Sequence, residues 1–104
     1  MQWLTRQSTI SAPAVARIGE PPRQSAFWDC YRELPDGIRR LADDSYRLLR
    51  RDPKHPSLHF KKVGRFWSVR VGLHYRALAV EHEDIVVWFW IGPHALYNRL
   101  VDAG

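Results

Sequence analysis

The chain has a single cysteine, Cys30, among its 104 residues. One thiol excludes an internal disulfide and suits a reducing, cytoplasmic setting. Cys30 itself reads as a small packing residue rather than a nucleophile. Long hydrophobic runs are missing as well. The longest, Ile85 to Gly92, falls far short of the ~20 residues a spanning helix needs, so no membrane partner is expected. Gln2, Thr5, Arg6 and Gln7 interrupt the stretch from Met1 to Ile10, which therefore lacks a signal-peptide core. Repeats and low-complexity tracts are absent. His55, His59, His74 and His82 fit no tight ligand spacing, and Pro56 forbids a helical His55/His59 pair. No metal and no other cofactor is expected.

What the chain does hold is basic and aromatic. Its formal charge is +5, with five histidines in reserve. That balance favours an anionic partner such as nucleic acid, an acidic protein segment or a membrane surface. The length suits one domain. Residues 1–24 carry Ser, Thr, Gln, Pro and Gly without periodicity and end at the breaker Gly19-Glu20-Pro21-Pro22. They read as a flexible leader or extra N-terminal segment, with a possible edge strand over Ala14 to Ile18, ahead of a domain over residues 25–104. A domain this small buries a modest share of its surface, which five Trp and four Phe partly offset.

Phe27, Cys30, Tyr31 and Leu34 share one helical face, so the spacing predicts a helix over Phe27 to Leu34, stopped by Pro35. A second helix is expected over Gly37 to Arg51, with Asp36 as its N-cap. Ile38, Leu41, Ala42, Ser45, Leu48 and Leu49 line its apolar face; Arg39, Arg40, Asp43, Asp44, Arg47 and Arg50 form a solvated one. After the turn cluster Asp52 to Ser57, four strands are expected: Leu58 to Val63, Phe66 to Val71, Tyr75 to Glu81 and Ile85 to Ile91. The last is apolar on both faces, which marks a central strand. His94 to Val101 reads as a terminal helix or extended tail. The expected fold is α+β: two N-terminal helices packed on an antiparallel four-stranded meander, with a short C-terminal helix.

The hairpin at Gly72-Leu73-His74 carries the chemistry. If its loop holds three residues, Arg70 lies directly opposite Arg76, with Cβ atoms ~5 Å apart. Like charges so placed cost stability unless an anion sits between them, and a scissile phosphate matches the guanidinium forks. A loop of two or four residues would put the arginines on opposite faces. The competing reading pairs Arg76 with a carboxylate, Glu81 or Glu33. His94 follows Gly92-Pro93 at a strand end, and an imidazole can give or take a proton near neutral pH. Tyr97 shares its face if the segment is helical; otherwise it packs against the helix layer. Lys61, Lys62 and Arg65 extend a basic stripe and, with His74, are candidate RNA contacts. Trp28, Trp67, Trp88 and Trp90 read as core, Trp67 becoming a base-stacking surface only if exposed.

Two short helices, a basic meander, Tyr75-Arg76-Ala77-Leu78, then Ile91-Gly92-Pro93-His94 and Tyr97 resemble the RelE/ParE superfamily of bacterial type II toxins. The segment Asp52 to Val63 is similar to that family's link between second helix and sheet, and the resemblance spans about residues 25–101. It implies a cytoplasmic toxin held by a cognate antitoxin protein. It also implies one of two activities. RelE-like members cleave mRNA on the ribosome without metal, through attack of the ribose 2′-hydroxyl on the adjacent phosphate. ParE-like members inhibit DNA gyrase and lack the catalytic set; an inactive antitoxin-binding relative is a third outcome. By position, Arg76 matches the family's phosphate-contacting arginine, Arg70 lies in its basic strand, His94 stands where some ribonuclease members carry a catalytic histidine, and Tyr97 is near their terminal aromatic. The paired lysines of one subgroup are replaced by Ser68 and Arg70, which shifts acid–base chemistry to His94. The leading expectation is therefore a ribosome-dependent mRNA endoribonuclease that inhibits translation.

Overall fold

Turn residues and apolar spacing set most element limits in the computed structural model, which describes residues 17–103. Strand β1 is Arg17–Ile18, helix α1 is Phe27–Arg32 and helix α2 is Asp36–Arg51. A 3-10 turn at Pro56–Leu58 leads into β2, Lys61–Val63. Strands β3, Phe66–Val71, β4, Tyr75–His82, and β5, Ile85–Pro93, follow, and helix α3 spans His94–Ala103. The sheet order is β1-β5-β4-β3-β2. The four strands β2 to β5 form the expected antiparallel meander, and β1 adds a parallel pairing at the β5 edge. Within the expected leader, Arg17 pairs with Ile85 and Ile18 with Val86, and Trp28 Nε1 donates to the carbonyls of Pro21 and Pro22. The Ala14 to Ala16 part of the expected edge strand lies outside the described residues.

Three expectations need correction. The first long strand does not start at Leu58. Pro56 opens a 3-10 turn instead, and His59 closes it in the left-handed region at φ 46, so the pleat begins only at Lys61. Asp36 is not the N-cap; Pro35 holds that position and Asp36 is the first helical residue, paired with Arg39. There its charge still complements the helix N-terminus. Helix α1 ends at Arg32 rather than Leu34.

The sheet separates two apolar layers. Helices α1 and α2 cover one face, where Leu34, Leu49, Val69, Val71, Trp88 and Ile91 form the main core. The polar face of α2 stays at the surface with an Arg47–Asp44 pair, and Tyr31 on α1 reaches across to donate to Asp43 at 2.7 Å. Cys30 is half-buried against this core. Helix α3 packs on the opposite face, not against the helix layer. There Phe66, Leu78 and Tyr97 are buried, with Phe89, Trp90 and Leu100 around them. A register shift between Leu78 and Ala79 sorts the aromatics of β5. Trp90 pairs with Leu78 and Trp88 with Ala79, so one extra residue, Phe89, turns two tryptophans toward different cores. This accounts for the apolar sequence of β5 on both faces.

Candidate active site

The hairpin between β3 and β4 fixes the centre. Gly72 takes φ 63, a conformation open to glycine, and the loop holds Gly72, Leu73 and His74. Val71 then pairs with Tyr75 and Arg70 with Arg76. The three-residue condition is met, and the two guanidinium-bearing residues stand directly opposed on the face that α3 covers in part. The competing carboxylate pairing for Arg76 is not what the structure holds. Glu81 accepts from Trp67 Nε1 at 3.1 Å and lies 3.9 Å from Lys62 Nζ. Among the described residues neither Arg70 nor Arg76 has a carboxylate partner. Arg70 Nε donates to the Gly72 carbonyl at 3.1 Å. The Arg76 guanidinium lies 5.7 Å from the centre of the Tyr97 ring.

His94 and Tyr97 arrive through the β5–α3 junction. Pro93 ends the strand, and the His94 backbone N–H donates to the His74 carbonyl at 2.8 Å. That bond ties the start of α3 to the arginine hairpin. Gly92 permits the close junction: a Cβ there would sit 2.6 Å from the Trp90 ring. Helical spacing brings the His94 and Tyr97 rings to 5.4 Å between centres. The Tyr97 hydroxyl is 3.2 Å from the buried Ser68 Oγ, which donates to it, so the ring is anchored to β3 while its face supports Arg76.

The remaining basic residues divide between the faces. Lys61 pairs in register with Ser68 and so shares the face of Arg70. Arg65 lies over the Phe66 ring at 5.3 Å, on the same side. Lys62 is the exception and does not extend the stripe. It pairs with Trp67, stacks on that indole at 5.5 Å, and faces the α1–α2 side with Glu81. Trp67 is partly buried, stacked on Phe60 at 4.8 Å, so it is no open platform for a base. His74 is exposed on the hairpin. Two polar side chains enter the site without having been expected there. His59 Nε2 lies 3.4 Å from Arg70 Nη1, and Asn98 Nδ2 lies 3.5 Å from His94 Nδ1. Asn98 was legible as the residue one helical turn beyond His94; His59 was hidden inside a segment expected to be strand. No group of three or more His, Cys, Asp or Glu side chains converges among the described residues.

Chemically, the arrangement offers two arginines opposed across neighbouring strands, an imidazole at the adjoining start of α3 and a basic approach along Lys61 and Arg65. No helix among the described residues is long and apolar enough to cross a membrane.

The sequence matches no family model and no curated protein. Solved structures do resemble it. The RelB–RelE antitoxin–toxin complex from Methanococcus jannaschii aligns with a TM-score of 0.57 at 15% identity, over 80% of this chain and 96% of that one. The Mycobacterium tuberculosis toxin–antitoxin complex RelBE2 aligns at 0.53 and 17% identity, over 76% and 98%. A mutant of the E. coli toxin RelE in the free state aligns at 0.53 and 13% identity, over 86% and 97%. With its three helices about an antiparallel meander, the chain has the RelE-like fold of these neighbours.

Proposed function

We propose that this chain is the toxin of a type II toxin–antitoxin module and acts as a metal-independent, ribosome-dependent mRNA endoribonuclease in the cytoplasm. The observation that carries the reading is the direct opposition of Arg70 and Arg76 without a carboxylate, beside His94. Such a pair is costly to keep unless an anion is its purpose. The fold likeness to RelE toxins supports the same reading.

Each residue then has a role. Arg70 and Arg76 stabilise the charge that grows on the phosphorane oxygens. His94 transfers a proton, as base for the 2′-hydroxyl or acid for the leaving 5′-oxygen. Tyr97 supports the Arg76 guanidinium with its ring. Lys61, Arg65 and His74 contact the RNA backbone. The cognate antitoxin presents acidic and apolar residues, wrapping the basic sheet or the helix pair and covering part of the site.

The test is inducible expression without a neighbouring antitoxin gene, following growth and then mRNA 5′ ends. Growth arrest with new ends inside translated codons is the expected result, and His94→Ala should abolish it while melting like wild type. Arrest with intact mRNA would replace the ribonuclease with a protein-binding toxin of the gyrase-inhibiting kind. Unimpaired growth would leave an inactive relative that only binds an antitoxin.

A further inference from the structure

The geometry points to a second proton carrier in this site, His59, working opposite His94 in phosphodiester cleavage. The inference rests on the ribonuclease reading and deepens it. Lys61 pairs with Ser68 in the β2–β3 ladder. Two residues before Lys61 and outside the paired part of β2, the His59 ring lies against Arg70, which is itself opposite Arg76. The imidazole and the two arginines thus form a row across the strands. A phosphodiester held between the guanidinium groups has one imidazole, His59, at the β2 end. His94, beside the ring that supports Arg76, stands at the other.

The contact at the β2 end fits this assignment. His59 Nε2 is 3.4 Å from Arg70 Nη1. A guanidinium only donates, so Nε2 is the acceptor and its lone pair is turned toward the row. The backbone fixes the residue as well. At φ 46 it occupies the left-handed region, which few residues other than glycine adopt and in which Asn, Asp and His are the commoner exceptions. Its N–H closes the 3-10 turn onto the Pro56 carbonyl at 3.3 Å.

Cleavage through the 2′-hydroxyl needs two proton transfers. One imidazole takes the 2′-OH proton as the O2′–P bond forms. The P–O5′ bond breaks, and the other ring, as imidazolium, gives its proton to the 5′-oxygen. One proton is taken and one is given, with no change of oxidation state. In-line displacement puts O2′ and O5′ on opposite sides of phosphorus. Carriers at both ends of the arginine pair serve both oxygens, whereas His94 alone serves one.

The test uses the full chain on ribosomes programmed with a short mRNA. At the cleaved linkage the mRNA carries either an ordinary phosphodiester or a 5′-bridging phosphorothiolate, whose thiolate leaves without needing a proton. His59→Asn keeps a residue that tolerates left-handed backbone, and its melting temperature establishes that it is folded. His59→Gln gives the same comparison should asparagine lower that temperature. Each of His59→Asn and His94→Asn should cleave the ordinary linkage at least ~30-fold more slowly than wild type. The thiolate linkage should restore one of them and not the other, and the restored one is the acid. Wild-type speed from His59→Asn on the ordinary linkage overturns the inference, as does restoration of both variants or of neither. Wild-type protein that cleaves neither linkage overturns the ribonuclease reading instead, a separate failure.

Discussion

Tyr97→Phe should cost about 1–2 kcal/mol of stability through a single lost hydrogen-bond partner. Ser68 is 2% exposed and Tyr97 9%, and their hydroxyls meet at 3.2 Å. Phenylalanine keeps the ring against Phe66 and Leu78 and under Arg76, so no cavity opens. What changes is that the Ser68 hydroxyl stays buried with nothing to donate to, which carries its desolvation penalty. Ser68→Ala should cost a similar amount by stranding the Tyr97 hydroxyl. The double variant strands neither group and should lie within about 0.5 kcal/mol of wild type, because removing both partners together is nearly neutral. The two single costs therefore do not add, and the coupling between them is about 1.5–4 kcal/mol. In a domain of this size each kcal/mol moves the melting temperature by about 4–8 °C. Urea unfolding of the four proteins at one temperature measures the cycle. Additive costs, with a coupling under about 0.3 kcal/mol, would refute the argument. Activity gives a second reading. If the ring and not the hydroxyl serves Arg76, Tyr97→Phe keeps growth arrest at a temperature where it is folded, and Tyr97→Ala loses it.

Phosphate should raise the melting temperature of the wild type more than chloride at equal ionic strength, because an anion between Arg70 and Arg76 relieves their repulsion. At ten times its dissociation constant the ligand adds about 1.4 kcal/mol. Arg76→Gln should lose that increment, and an equal increment in both proteins would count against the anion seat. Gly92→Ala should destabilise by about 1–3 kcal/mol, since the new Cβ meets the Trp90 ring at 2.6 Å; unchanged urea unfolding would show that Trp90 moves aside freely. Burial, followed by the hydrogen bond to Asp43 and its charge, raises the Tyr31 hydroxyl above the ordinary tyrosine value of 10.0. The folded state thus favours the protonated phenol: its contribution is complete below the unfolded value and disappears as pH rises through the raised one. Ultraviolet titration of wild type against Tyr31→Phe should place this phenol high, and Asp43→Asn should bring it down. No movement on Asp43→Asn would remove the carboxylate from the explanation.

Much of this architecture can be read from punctuation in the chain. Gly64-Arg65 and Gly72 bracket β3, and its limits, Phe66–Val71, follow from them. The same hairpin arithmetic placed Arg70 against Arg76. The first strand was harder to read because Leu58 and Phe60 alternate with polar neighbours as a strand would, while the 3-10 turn depends on Pro56 and on Leu58 entering the core. With that turn unseen, His59 could not be placed beside Arg70. The division of Lys61 from Lys62 needed the β2–β3 register, because adjacent residues on a strand must face opposite sides. Nothing local in His94 to Ala103 says which face of the sheet its helix covers; that is decided by Phe66, Leu78 and Trp90 across three strands. The extra residue in β5 was equally silent, since Trp88 and Trp90 read by simple alternation as neighbours on one side.

The sheet's two-sided packing bears on how such a protein can diverge. Leu49, Val71 and Trp88 hold the helix-covered layer, while the arginine row, His94 and Tyr97 occupy the other. Neighbours in sequence, such as Lys61 and Lys62 or Val69 and Arg70, therefore answer to different selective demands. A lineage can trade the residues that meet the target without disturbing those that keep the chain folded, and the reverse holds as well. In this fold the heritable unit of function is a face rather than a segment, so low identity along the chain is compatible with a retained scaffold.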